Sequence, residues 1–571
     1  MAAIRQLVVI DHTPYRNGTH MLVSSSSPLN AEDGSLRLPQ PSKMRRDGKP
    51  VMLEDRTDRA LCDLRVSLKG FLLECAIIHQ DLDSFLKALE GKLKIVMNIH
   101  GYSTPLASFQ HNAYRTTQHK LDRDRDAMAA KGLSYPDYVV FIDYSWPSEQ
   151  ALSLSPCSVL RATPFLLGFL GLLTLLLAGW GLHGVLQSGW PAGLALGLGW
   201  LGGAVLGIAL ALLLLRMVTY FRDRDRAASA AVYDGVELVR WLHQIFLEVI
   251  TEVAPNIDQV EQLRALLQQS GPGRPPVNVK VELSLLAHSM GCFVATQLVR
   301  TLSDVFDPKA IQRWKRLGAE GPFSMVDPCG EALDVPTDVG IGELFTLGQL
   351  VLASPDIPVW ALTNGRSNPL QACLRRFNRV FLFTNDADMV LRLLSTLANF
   401  FVFPSSTRQG GYRLGNVVPL EGPSGWGVHT LNLQQIGLHG MGDRLRRTLP
   451  LTESPFFARR VLASHLTLVD CTDYCDVSGP NHRWTPLLAT RGPGWRPLRY
   501  AFTTLAMVCK RLDPHGGYFH GPFCLDLIYD LLLNGPPETS QNWTNLHGKL
   551  QQHQISWINV QNPPIFCPPQ T

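Results

Sequence analysis

The chain has no C-x-x-C pair, and its eleven cysteines are odd in number and scattered along the sequence. This pattern favours reduced thiols, as in cytosolic proteins, over a disulfide framework. Cys471 and Cys475 lie four positions apart near His482, but that spacing is not typical of a zinc site. We therefore expect neither a metal nor another cofactor.

The chain also has little excess charge of either sign. Its net charge of +4 over 571 residues is modest, so nucleic acid is not a predicted partner. Residues 1–11 contain only a short apolar run and do not predict a signal peptide. Residues 122–126 alternate Asp and Arg but lack the glycine and closing glutamate of a calcium loop, which favours a solvated helix face.

The third absence is the most pronounced. From Ala162 to Leu215 there is no Asp, Glu, Lys or Arg, and this length is enough to cross a bilayer core of about 30 Å twice. The pattern predicts a transmembrane hairpin with spans at 162–182 and 192–215, joined by a turn that carries Trp190.

Two spans return the chain to the side that it left. Arginines flank both spans and the turn has no charge, so the positive-inside rule predicts a multi-pass membrane protein whose catalytic domain faces the cytoplasm. Glycines in the second span offer faces on which helices can pack, which leaves a homo-oligomer through the hairpin open.

Among the features that are present, residues 285–291, Leu-Leu-Ala-His-Ser-Met-Gly, are the most informative. An apolar run that is typical of a strand precedes them, and a helical pattern follows at Cys292. Small residues flank Ser289, with Ala287 where the usual G-x-S-x-G motif has its first glycine. The segment therefore predicts a nucleophile elbow, with a turn in an ordinary α/β sheet as the alternative.

A catalytic acid is expected after the elbow, because hydrolases of this kind have the order Ser, acid, His along the chain. The strand-like residues 379–384 lead to Asp386 and Asp388. We predict Asp388 as the acid, since it opens the next helical pattern, and Asp386 is the alternative. A carboxylate at this position is also a common helix cap.

The catalytic base is expected after the last strand, predicted at 465–470. Two histidines, His515 and His520, precede the helical pattern 523–533. We predict His515, because the glycines after it leave the loop free to fold over the elbow, with His520 as the alternative. Either histidine could instead cap the helix or face solvent.

An oxyanion hole needs backbone N–H groups near the nucleophile. The predicted strand 94–99 runs into His100-Gly101, which is the usual place for one of these donors in lipases and esterases. The predicted donors are the amides of Tyr102 and Met290.

These motifs resemble those of the α/β-hydrolases of unknown function known as DUF900. The resemblance covers residues 91–150 and 219–535 with gaps, and rests on Ile99–Thr104, Val139–Ser148, Ala287–Gly291 and the acid-bearing segment that ends at Leu391. More loosely, the elbow resembles lipases and esterases that read Ala-His-Ser-Met-Gly. The resemblance implies an α/β-hydrolase fold with a mainly parallel sheet.

The predicted organisation is one α/β core interrupted by the hairpin. It comprises an N-terminal, partly irregular region (1–90), the first part of the core (91–160), the transmembrane hairpin (161–216), the second part of the core (217–535) with an insertion near 403–464, and a C-terminal tail (536–571).

The predicted function is a membrane-anchored serine hydrolase that cleaves carboxylic esters through an acyl-enzyme. The hairpin favours a lipid or another acyl ester as substrate, with the bilayer as partner. Two alternatives remain open: an inactive α/β-hydrolase-fold membrane interaction protein, and a secreted lipase-type toxin.

Overall fold

In a computed structural model of the chain, the described residues form a mixed sheet of nine strands. The structure describes residues 7–15, 18–25, 53–78, 91–102, 138–148, 220–253, 281–302, 341–359, 369–374, 376–395, 413–417, 466–478, 483–486, 512–537 and 539–559, with isolated positions between them.

Strands and helices alternate along most of the chain. The strands are β1 (Leu7–Tyr15), β2 (Gly18–Ser25), β3 (Leu93–Ile99), β4 (Tyr138–Ser145), β5 (Val281–His288), β6 (Phe345–Ala353), β7 (Arg379–Thr384), β8 (Leu466–Asp470), β9 (Cys475–Ser478), β10 (Arg483–Pro486) and β11 (Ser556–Asn559). The helices are α1 (Leu53–Ile78), α2 (Val236–Val253), α3 (Gly291–Thr301), α4 (Ile341–Leu344), α5 (Pro369–Leu374), α6 (Pro522–Asn534) and α7 (Ser540–Gln552).

The strand order of the large sheet is β1-β2-β4-β3-β5-β6-β7-β8-β11. The six pairs from β2 to β8 are parallel, and the edge strands β1 and β11 are antiparallel to their neighbours. Parallel strands end at the same edge of a sheet, so the loops after β3, β5, β6 and β7 lie close together. This edge carries the predicted site.

Helices cover both faces of the sheet. Helix α6 packs on the face that carries Val139, Phe141 and Phe381, where they form one buried cluster. Successive side chains of a strand point to opposite faces, so Tyr138 points the other way, and its ring lies 5.3 Å from that of Phe71 in α1. Burial on both faces explains why these strands are almost continuously apolar.

The predicted hairpin and the multi-pass membrane localisation, with the catalytic domain facing the cytoplasm, are corrected by the structure. Among the described residues, no helix has both the length and the apolar sequence that crossing a bilayer requires. The 26-residue α1 is long enough but carries nine charged residues, which are costly in hydrocarbon. Most of 161–216 lies outside the described residues, which there include only His183, Leu186 and Gln187.

The chain divides into two compact units. The first contains the sheet and consists of residues 1–101, 106–147 and 227–571. The second consists of residues 102–105 and 148–226, and within it the Thr104 N–H donates to Ser148 Oγ at 3.1 Å. The region near 403–464 that the sequence predicts as an insertion is described only at residues 413–417.

Candidate active site

Ser289 occupies the tight turn between β5 and α3. Its φ of +52° is in a region that residues other than glycine rarely adopt, and its side chain is buried. Two backbone hydrogen bonds hold the turn, from Ser289 N–H to the Ala353 carbonyl at 2.9 Å and from Asp356 N–H to the Ser289 carbonyl at 3.1 Å. The turn has the backbone strain that is characteristic of a nucleophile elbow.

Gly291 lets the elbow approach the neighbouring strand. A Cβ atom at this position would lie 2.4 Å from the carbonyl oxygen of His100 and 2.5 Å from that of Ile99. Both oxygens belong to backbone at the end of β3, which is hydrogen-bonded to β4 and β5 on its two sides. A residue with a Cβ atom at position 291 would therefore clash with this backbone, whereas glycine fits.

The end of β3 lies against Ser289. A Cβ on Gly101 would be 2.9 Å from both Ser289 Cβ and His288 Nδ1, so the chain passes the elbow at van der Waals contact. The preceding His100 is fixed by a hydrogen bond from Trp146 Nε1 to its carbonyl, at 2.7 Å, and its ring stacks on the Trp146 indole. Burial lowers the pKa of His100 to about 4, so its imidazole is neutral at pH 7.

The two predicted oxyanion donors fall in different units. Met290 is buried immediately before α3, directly after Ser289 in the first unit. Tyr102 follows Gly101 in the chain but belongs to the second unit, where its ring lies 6.2 Å from that of Tyr220.

The structure brings together two of the predicted catalytic residues, Asp388 and His515. Nδ1 of His515 donates to Oδ2 of Asp388 at 2.7 Å, across 127 positions of sequence. Asp388 follows β7, and its Oδ1 accepts from the amides of Val390 and Leu391 at 3.1 and 3.2 Å. The carboxylate is fully buried, whereas the His515 side chain remains 17% exposed.

The loop that carries His515 is joined to the elbow through His288. Nε2 of His288 donates to the backbone carbonyl of His515 at 3.0 Å, and the two rings lie 4.8 Å apart. Burial and the neighbouring His515 lower the pKa of His288 to about 4, so this donor is a neutral imidazole. His288 directly precedes Ser289, so this hydrogen bond joins the His515 loop to the end of β5.

Burial and the neighbouring carboxylates shift the pKa of His515 in opposite directions. Burial by itself lowers the pKa of the imidazole, but the adjacent carboxylate and its hydrogen bond outweigh burial, and the net effect raises this pKa. Asp513 and Asp356 act in the same direction. An imidazole whose cationic form is stabilised in this way is suited to accept a proton during a reaction.

The structure places the two alternative residues elsewhere. Oδ1 of Asp386 forms an ion pair with Arg392 at 2.7 Å. His520 is 59% exposed and its Nε2 lies 3.8 Å from Asp513, so it is directed toward solvent and not toward Asp388.

Sequence reasoning missed three further residues at this site. Oγ of Ser354, at the end of β6, lies 2.9 Å from Oδ2 of Asp388 and 3.0 Å from the hydroxyl of Tyr518. Nδ2 of Asn416 donates to the backbone carbonyl of Asp388 at 3.1 Å. The available signal was the position of Ser354 directly after a buried strand, since strand ends carry the site in this type of sheet.

Within the part of the chain that the structure describes, no group of three or more His, Cys, Asp or Glu side chains is arranged to hold a metal ion. Cys471 is buried and Cys475 is partly buried, both with free thiols.

No protein-family model, curated protein or solved structure matches this chain. The resemblance to DUF900 hydrolases and to lipases and esterases therefore rests on the motifs alone.

Proposed function

We propose that this protein is a serine hydrolase that cleaves carboxylic esters. The observation that carries the proposal is the hydrogen bond between Asp388 and His515 in a loop tied to the elbow of Ser289. A catalytic triad consists of a nucleophilic serine, a histidine that takes its proton and a carboxylate that holds the histidine. In this chain the serine lies on a strained turn and the carboxylate is buried. The three residues follow the chain order Ser, Asp, His that is typical of hydrolases with this elbow.

In the first step, Nε2 of His515 takes the proton of the Ser289 hydroxyl while Oγ attacks the ester carbonyl carbon. The carbonyl π electrons move to oxygen, and the amide of Met290, directly after the nucleophile, is the expected donor to this oxyanion. When the intermediate collapses, the C–O bond to the alcohol breaks and His515 returns the proton to the leaving oxygen.

In the second step, His515 takes a proton from water, and the hydroxide attacks the acyl-enzyme carbonyl. Collapse breaks the bond to Ser289 Oγ, which regains its proton, and the carboxylic acid leaves. Asp388 stabilises the imidazolium that forms in both steps and fixes the tautomer with hydrogen on Nδ1. The preference for a lipid substrate followed from the predicted hairpin, so the proposed substrate is a carboxylic ester with no further restriction.

The test combines covalent labelling with turnover. Purified protein is treated with a fluorophosphonate probe and, separately, with p-nitrophenyl esters of short and long acyl chains. We expect Ser289→Ala to abolish labelling, and Asp388→Asn and His515→Gln to lower kcat/KM by roughly a thousandfold or more.

The structure supplies matched controls. Asp386→Asn and His520→Gln make the same chemical changes at residues whose ion-pair partners are Arg392 and Asp513, so they should retain most of the activity. Equal losses in Asp386→Asn and Asp388→Asn would refute the assigned triad. A wild-type chain that neither reacts with the probe nor hydrolyses esters would refute the hydrolase proposal and favour a catalytically inactive scaffold.

A further inference from the structure

Ser354 has a backbone conformation that calls for an explanation. It directly follows β6, its side chain is fully buried and its φ is +43°. Glycine adopts this region freely, whereas a serine is strained in it. Its N–H donates to the Phe383 carbonyl at 3.0 Å, which anchors the backbone between β6 and β7. Such strain at a strand end beside a catalytic group suggests a role for the hydroxyl.

The hydroxyl of Ser354 joins two other groups. It lies 2.9 Å from Oδ2 of Asp388 and 3.0 Å from the hydroxyl of Tyr518. A carboxylate only accepts hydrogen bonds, so the single hydrogen of Ser354 goes to Asp388 and its oxygen accepts from Tyr518. Burial raises the pKa of Tyr518 well above its ordinary value, so that donor keeps its hydrogen.

The hydrogen bonds thus form a chain from Tyr518 through Ser354 to Asp388, and His515 donates to the same carboxylate oxygen from the other side. We infer that Ser354, supported by Tyr518, is a positioning residue that orients Asp388 toward His515 and withdraws negative charge from the oxygen that faces the imidazole. The inference rests on the proposed hydrolase function, because it assigns Ser354 a part in tuning the base.

The direction of the effect follows from the charges around His515. Asp388 faces it from the end of β7, Asp356 from the end of β6, Asp513 from its own loop, and His288 from the end of β5. His288 is neutral at pH 7. Removing the Ser354 hydroxyl increases the negative charge on Asp388 and leaves the charges of the other groups unchanged. Oδ2 then holds the imidazolium more tightly, and His515 gives up its proton at a higher pH.

The experiment uses Ser354→Gly and Ser354→Ala. Both remove the hydroxyl, but glycine accepts the backbone conformation, so it keeps the test valid if alanine destabilises the fold. Tyr518→Phe removes the next donor in the chain. The control is Ser284→Ala, because Ser284 is an equally buried serine in β5 whose Oγ accepts from the Gln349 amide at 3.1 Å, away from the triad.

The first readout does not depend on activity. Protein with 15N-labelled histidine is titrated by NMR, and the His515 signal is assigned with His515→Gln. We expect both Ser354 variants to move the His515 titration upward by about half a pH unit or more, Tyr518→Phe to move it less, and Ser284→Ala to leave it in place. An unchanged titration in Ser354→Gly would overturn the inference even if the enzyme is active.

The second readout is the pH profile of kcat/KM. The acid limb should move upward by the same amount, and kcat/KM at pH 7 should fall by about tenfold, as expected for one lost hydrogen bond to a catalytic group. If fluorophosphonate does not label wild-type Ser289, the proposed function fails, while the NMR titration still decides whether Ser354 tunes His515.

Discussion

Replacing Gly291 by alanine tests the geometry of the elbow directly. The new Cβ would lie 2.4 and 2.5 Å from two backbone oxygens at the end of β3, whereas carbon and oxygen normally approach to about 3.3 Å. The overlap of almost 1 Å involves backbone that is hydrogen-bonded to strands on both sides, so it cannot be relieved by rotating a side chain.

Overpacking of this kind typically costs about 1–3 kcal/mol. Gly291 is the first residue of α3, where the gain in helix propensity from alanine is small. We therefore expect Gly291→Ala to lower the free energy of unfolding by about 2 kcal/mol. Because the displaced backbone also carries Ser289, hydrolysis should fall as well.

Gly70→Ala is the matched control, because Gly70 lies in α1 and a Cβ there would meet no atom within 4 Å. The same substitution should stabilise the protein at that site by about 0.5–1 kcal/mol. Both variants are compared with wild type by urea unfolding, followed by circular dichroism. If Gly291→Ala unfolds at the same urea concentration as Gly70→Ala, the steric argument for the elbow is wrong.

Three further predictions concern buried ionisable side chains. The pKa of His515 is raised and the proposed base acts in its neutral form, so the acid limb of kcat/KM should lie above the ordinary histidine value of about 6.5. In the residual activity of Asp388→Asn this limb should move to lower pH, and an unmoved limb would contradict the Asp388–His515 pair. The pKa of buried His100 is about 4, below its unfolded value, so the folded state should lose roughly 3 kcal/mol of stability as the pH falls from 6.5 to 4. His100→Gln should reduce this loss, as measured by urea unfolding at the two pH values. Arg413→Met should cost about 3–5 kcal/mol, since it leaves buried Asp356 without its ion-pair partner at 3.0 Å, whereas Arg65→Met, at half-exposed ion pairs with Glu248 and Glu252, should cost less than about 1 kcal/mol. Similar thermal midpoints in the two variants would argue against the buried pair.

Local sequence patterns predicted the central elements well. Four predicted strands correspond to β3, β5, β7 and β8, and the helical pattern 523–533 corresponds to α6. These predictions were confirmed because strands buried on both faces read as continuous apolar runs, and the helix has Gly and Pro at its start.

The edges of the sheet were not predicted. The strands β1 and β2 fall in the region read as partly irregular, and α7 and β11 fall in the region read as a tail. The edge strand β11 has only four residues and pairs with β8, which is distant in sequence, so its local pattern is weak. The transmembrane prediction was wrong because it relied on the apolar composition of the segment alone.

The sequence by itself determined the elbow, since small residues around Ser289, an apolar run before it and a helical pattern after it are all local. It favoured Asp388 over Asp386 and His515 over His520 but left both alternatives open, because the members of each pair are only two or five positions apart. Only the tertiary structure distinguishes the members of each pair by their contacts: the loop before α6 brings His515 to Asp388, while Arg392 engages Asp386. It also revealed Ser354 and Tyr518, whose hydroxyls meet only because β6 and the 512–520 loop converge on one edge of the sheet.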